Sequence, residues 1–131
     1  MARLGALVPA GQLARARAAE EAVAARINGI FDHADVVLTP GPTGAPFRVG
    51  QFHGRGALLT LNAVVAKVPY YGVFNVTGQP AASVPAGFDG AGLPLAVQLV
   101  GRPGDEATLL SLAAQIEQAR PWADRRPPVA A

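Results

Sequence analysis

The sequence predicts a single α/β unit spanning residues 1–131, in which short strands, two of them joined as a β-hairpin, are packed by an N-terminal and a C-terminal helix. Three observations predict it. Two apolar runs, Ala81–Pro85 and Leu95–Val100, flank a connection containing Gly87, Gly90, Gly92 and Pro94, which is the pattern of a hairpin. In the second run Leu95, Val97 and Leu99 alternate with Ala96, Gln98 and Val100, and only Gln98 is polar. Both faces of that strand are therefore expected to be covered, as in a layered α/β domain. Finally, segments with helical periodicity stand at the two ends of the chain.

The first of these runs from about Ala10 to Phe31, with Pro9 at its first turn and Ala, Arg and Glu as good helix formers. Leu13, Ala16, Val23, Ile27, Ile30 and Phe31 fall on one face at 3.6 residues per turn, and that face is expected to be buried. Glu20 lies in the middle of it. A carboxylate there needs a partner, with Arg17 one turn earlier the obvious one, or else that turn is uncovered. Asp35–Pro40 reads as a short buried strand stopped by Pro40, and Thr39–Phe47, with three prolines and two glycines, as a loop. Gly56–Ala66 reads as a short helix, and the aromatic-rich stretch Val68–Phe74 as a lead into a tight turn at Gly78-Gln79-Pro80. The last helix spans about Glu106 to Arg120, capped by Asp105, with Leu109, Leu112, Ala113 and Ile116 as its buried stripe and Pro121 as its stop.

Composition bounds the function classes. Apolar residues make up 50% of the 131 positions and charged residues only 15%, against about 25% in ordinary soluble domains. A small domain has much surface and should be rich in charge. One that is not is expected to oligomerise or to be part of something larger. No run of about 18 apolar residues is present, so no membrane span is expected. The net charge of +2 comes from dispersed arginines, not from a basic patch interleaved with aromatics, so nucleic acid is not an expected partner. There is no cysteine, hence no disulfide or thiolate chemistry. Residues 1–9 carry one Arg and too short an apolar stretch for a signal peptide, so a cytoplasmic location is expected.

The inventory of reactive groups is small: Ser83 and Ser111 are the only serines, Lys67 the only lysine, and His33 and His53 the only histidines. Ser83 lacks the Gly-x-Ser-x-Gly elbow that would expose its hydroxyl on a strained turn, and it reads as a buried strand serine bonded to nearby backbone. A Ser83–His53–Asp triad requires a geometry that residue content alone does not supply. Asp32, His33 and Asp35 are potential metal ligands at a helix-to-strand junction, yet they read more simply as a histidine facing a helix C-terminus and an aspartate leading a strand. Gly87–Gly92 has neither the spacing nor the following helix of a phosphate loop. Asn75-Val76-Thr77 fits a glycosylation acceptor pattern that matters only in a secreted chain. No metal, no cofactor and no catalytic residue is expected within the chain.

One longer pattern is far more specific. Asn75, Gly78, Pro80, Ala81, Ser83, Val84, Pro85 and Gly87, followed by Gly92, Leu93, Pro94, Val97, Gln98, Leu99, Val100 and Gly101, resemble in order the C-terminal core of the amidase signature hydrolases. Asp35–Pro40 with its Pro-rich loop, and Trp122 shortly before an Arg-Pro pair, extend the resemblance in both directions. It implies strands belonging to a large mixed sheet and an activity on carbon–nitrogen bonds of small amides. The family's serine–serine–lysine triad lies in a Gly- and Ser-rich stretch that nothing in this sequence matches, and Lys67 does not stand in the catalytic-lysine context. The resemblance thus implies a C-terminal segment, inactive alone, with exposed edges that favour self-association. The alternative is a non-catalytic subunit completing an amidase with a separate N-terminal chain. Phe74, Asn75 and Gly78, with the loop after Thr39, are the implied substrate-side elements, although Asn75 and Gly78 equally suit a plain turn.

Overall fold

The computed structural model describes residues 8–126. Residues 1–7, which make up most of the stretch considered as a signal, and residues 127–131 lie outside the described residues. The elements in chain order are α1 (Ala10–Asn28), a 3-10 turn (Gly29–Asp32), β1 (Val37–Pro40), α2 (Ala57–Lys67), α3 (Tyr71–Thr77), β2 (Ala81–Phe88), β3 (Pro94–Val100) and α4 (Glu106–Ala119).

The three strands form one antiparallel sheet in the order β1-β3-β2, so the strand with apolar residues on both faces takes the centre. Val37, Val100 and Ala81 are in register across it, as are Leu38, Leu99 and Ala82, and Thr39, Gln98 and Ser83. Residues directly opposite share a face, so the sheet separates two cores. On one face Val100 packs with Phe31 and Phe74, joined by Ile27, Val37 and Val73. On the other, Leu99 and Val84 pack with Leu109 of α4, joined by Val97, Ala82, Leu112, Ala113 and Ile116. The hairpin closes through Asp89, whose carboxylate accepts from the Ala91 and Leu93 amides at 2.8 Å each, with Gly87 and Gly92 at positive φ. A register shift between Pro85 and Gly87 bulges β2, and Pro85 is tolerated because β2 is an edge strand.

The C-terminal helix matches its sequence signals. The Asp105 carboxylate accepts from the Thr108 amide at 3.4 Å and from its hydroxyl at 2.8 Å, which caps the helix. Other expectations are corrected. The regular part of α1 ends at Asn28 and tightens into the 3-10 turn, which swings Phe31 into the core. The predicted apolar face is buried only at its end: Ile27 and Phe31 join a core, whereas Leu13 and Val23 of α1 and Ile30 of the 3-10 turn are exposed. Glu20 is exposed as well, and no Arg17–Glu20 ion pair forms among the described residues. β1 is an edge strand with Leu38 exposed, not a fully buried one, since α4 covers the sheet only as far as Leu99. Val68–Phe74, for which the sequence signals no element, enters α3, which Gly78 ends at φ +78 in the left-handed conformation.

Candidate functional site

Tyr71, Phe74, Asn75 and Gly78 are spaced i, i+3, i+4 and i+7 along α3 and its cap, so they share one side of a short helix. Phe74 is buried against Val100 and Phe31, which seats α3 on the sheet. Asn75 is exposed, and its side-chain amide is free among the described residues. Gly78 supplies the left-handed turn that sends the chain from α3 into β2, and its N–H donates to the Phe74 carbonyl at 2.9 Å.

Behind that turn lies a buried polar contact. Gln79, 6% exposed, donates from Nε2 to Asn28 Oδ1 at 2.7 Å. Its Oε1 also lies within reach of the Thr77 hydroxyl, which stands 2.9 Å from the Val73 carbonyl. The end of α1 is thereby tied to the end of α3. A buried amide left unpaired would carry its full desolvation cost, so this contact holds the turn in place.

The loop after Thr39 is held at both ends. The Gly41 amide donates to the Ala96 carbonyl at 3.1 Å, and a Cβ at Gly41 would stand 2.7 Å from that oxygen and 3.3 Å from the Tyr71 hydroxyl. Only glycine lets the loop approach so closely. Further on, the Thr43 amide donates to the Lys67 carbonyl at 2.9 Å, and Lys67 Nζ stands 5.0 Å from the Phe47 ring centroid. Phe47 meets Phe52 edge to face at 4.9 Å. On the sheet beneath, Thr39 Oγ1 lies 3.2 Å from Gln98 Oε1, and Ser83 stands on the other flank of Gln98 in register. The loop thus meets α3 at Tyr71 and the sheet at Ala96, and the Thr39–Gln98–Ser83 row crosses the same sheet.

The remaining candidates are dispersed. Ser83 is exposed, not buried, and its hydroxyl makes no hydrogen bond among the described residues; it stands on the edge strand β2 and belongs to neither core. Ser111 lies on α4, on the opposite face of the sheet, in an open groove of about 660 Å³ that also includes Asp35 and Val36. Asp35 pairs with Arg102 at 3.1 Å, and Arg102 also donates to the carbonyls of Phe31 at 2.7 Å and Ala34 at 3.3 Å. Arg102 therefore caps the end of the 3-10 turn, a role that no local sequence signal announces. His33 sits at the C-cap of that turn. No group of three potential metal ligands occurs among the described residues. The neighbourhood around α3 can donate and accept hydrogen bonds, but it brings together no nucleophile and base.

The sequence profile of the Amidase family matches residues 4–110. The chain belongs to this family. It is 60% identical over 129 residues to "Putative amidase AmiB2" of Mycobacterium tuberculosis, an alignment that takes in 98% of this chain and 28% of that protein. It is 39% identical over 127 residues to "Putative amidase AmiA2" of the same organism, covering 97% of this chain and 26% of the relative. Among solved structures, a bacterial aryl acylamidase of the amidase signature enzymes superposes with a TM-score of 0.74 at 25% identity, over 95% of this chain and 27% of that one. The 6-aminohexanoate cyclic dimer hydrolase with bound substrate superposes with a TM-score of 0.71 at 29% identity, again over 95% of this chain and 28% of the neighbour. The amidase chain therefore spans little more than a quarter of the length of these longer relatives. Its sheet and helices reproduce the corresponding part of the amidase signature fold.

Proposed function

We propose that this amidase chain is the C-terminal segment of an amidase signature hydrolase acting on carbon–nitrogen bonds, and that it has no amide hydrolysis of its own. The observation that carries the reading is the continuous match over 98% of this chain to only 28% of a relative that is 60% identical. Acyl transfer from an amide needs an activated nucleophile, a base and oxyanion donors held together. Here Ser83 and Ser111 lie on opposite faces of the sheet, and Lys67 stacks over Phe47 with no serine bonded to it. When the remainder of the fold is supplied, the α3 face and the loop after Thr39 line one wall of the acyl pocket, with the free Asn75 amide available to substrate and Phe74 and Gly78 holding its backbone.

The second reading, a non-catalytic subunit completing a separately encoded catalytic chain, is favoured by the two cores that this segment builds for itself. It predicts a reading frame for the Gly- and Ser-rich signature beside this one. The proposal is tested by assaying the purified chain on a panel of simple amides beside its size-exclusion profile, alone and after co-expression with the missing portion of M. tuberculosis AmiB2. Silence alone and turnover on completion are expected. Turnover by a monomer of this chain alone overturns the proposal, and Ser83→Ala then becomes the decisive variant.

A further inference from the structure

The helix α2 is built for an environment that this chain does not provide. Eight of its 11 residues are Ala, Leu or Val, interrupted only by Thr60, Asn62 and the terminal Lys67. An amphipathic helix would confine those residues to one stripe. Here they face several directions, with Leu58 66%, Leu59 52%, Leu61 44% and Val65 56% exposed, and not one residue of α2 is buried. A helix that is apolar all round belongs inside a larger body. Neither core contains any residue of α2, and no other element packs substantially against it. Its C-terminal end alone is anchored, through the Thr43 bonds to the Ala66 and Lys67 carbonyls and the Lys67–Phe47 contact. The helix is thus held in place without being covered.

What covers it follows from the lengths. The Amidase match runs through α2, and the relatives are more than three times as long as the stretch they share with this chain. We propose that α2 is the principal docking helix of this segment, and that its occupant is the part of the amidase fold that the relatives have and this chain does not span. The proposal rests on the functional reading above. It places the contact at Leu58, Leu59, Leu61, Val64 and Val65, next to the loop after Thr39, so that docking and completion of the pocket wall are one event. An apolar helix inserted between two bodies excludes water from both, and an acidic side chain at its centre would be left uncompensated.

The test uses this chain together with M. tuberculosis AmiB2 shortened to the portion that this chain does not match, the two being co-expressed and purified as a pair. The expected result is a one-to-one complex in which amide hydrogen exchange of Leu58–Val65 slows, and in which Leu61→Asp or Val64→Asp weakens association by about 10-fold or more. Exchange at Leu99, Val100 and Leu109 reports whether each variant still folds, since those core residues do not touch α2. Several outcomes overturn the proposal: no complex between folded components, a complex that leaves α2 exchange unchanged, variants that bind undiminished, a homodimer that buries α2 instead, or α2 protected only by phosphatidylcholine–phosphatidylglycerol vesicles. The last two are tested because α2 is exposed and, together with α3, which follows it across a 91° bend, has the length and composition of a broken span. A complex that buries α2 but hydrolyses no amide supports the docking proposal and counts against the functional one. An active complex with α2 unprotected does the reverse.

Discussion

Two adjacent leucines on α4 provide a direct measure of how this chain holds itself together. Leu109 is 3% exposed and packs against Leu99 and Val84, whereas Leu110, the next residue, is 69% exposed. Both have the same helix propensity and lose the same atoms on truncation to alanine, so the difference between the two variants isolates burial. Removing Leu109 forfeits the transfer of a buried side chain, about 1.5–3 kcal/mol. It also leaves a cavity between helix and sheet, which brings the expected loss to about 2–5 kcal/mol. Leu110→Ala should fall within about 0.5 kcal/mol of the parent. Urea denaturation followed by Trp122 fluorescence reads both, and at a mid-range slope of about 2 kcal/mol per molar the Leu109→Ala midpoint should drop by about 1–2.5 M. Because small domains are stable by only about 5–15 kcal/mol, the Leu109→Ala loss is a sizeable fraction of the whole. Equal losses for the two variants, or a larger one at Leu110, would refute the packing of α4 on the sheet described here.

Other substitutions probe the remaining joints. Gly41→Ala forces its new Cβ away from the Ala96 carbonyl and strains the bond between the loop and β3, so a loss of about 1–3 kcal/mol is expected, with faster amide exchange at residue 41. Asp105→Ala removes the cap of α4 and should cost about 0.5–2 kcal/mol, read as a lower thermal midpoint. Asp35→Ala removes only an exposed ion-pair partner and should cost under about 1 kcal/mol. Arg102→Ala should cost more than Asp35→Ala in the same denaturation assay, since the Phe31 and Ala34 carbonyls lose their donor too. In the completed enzyme, Asn75→Ala should raise KM for small amides and leave the unfolding midpoint of this segment unchanged; a variant that behaves like the parent in both removes Asn75 from the pocket wall.

Much of this architecture is local and was therefore legible in the sequence. The β2–β3 hairpin follows from two apolar runs about a glycine-rich turn, and the central place of β3 from having apolar residues on both of its faces. The α4 stripe and its Asp105 cap follow from helical spacing and from the short reach of a carboxylate to the next turn. The ordered run from Asn75 to Gly101 carries the family. Tertiary structure decided the rest, because it depends on what lies across space. The aromatic-rich stretch before Gly78 carries no strong local signal for any element, and it becomes α3 with Phe74 packed on Val100 and Phe31, while the left-handed Gly78 ends the helix. Arg102 caps a turn far earlier in the chain, reaching the Phe31 carbonyl across a separation of 71 residues. Periodicity along α1 and the apolar content of α2 foretell burial, but periodicity states only that a face wants a partner. Whether one is present depends on the rest of the fold, and within this segment both faces stand open.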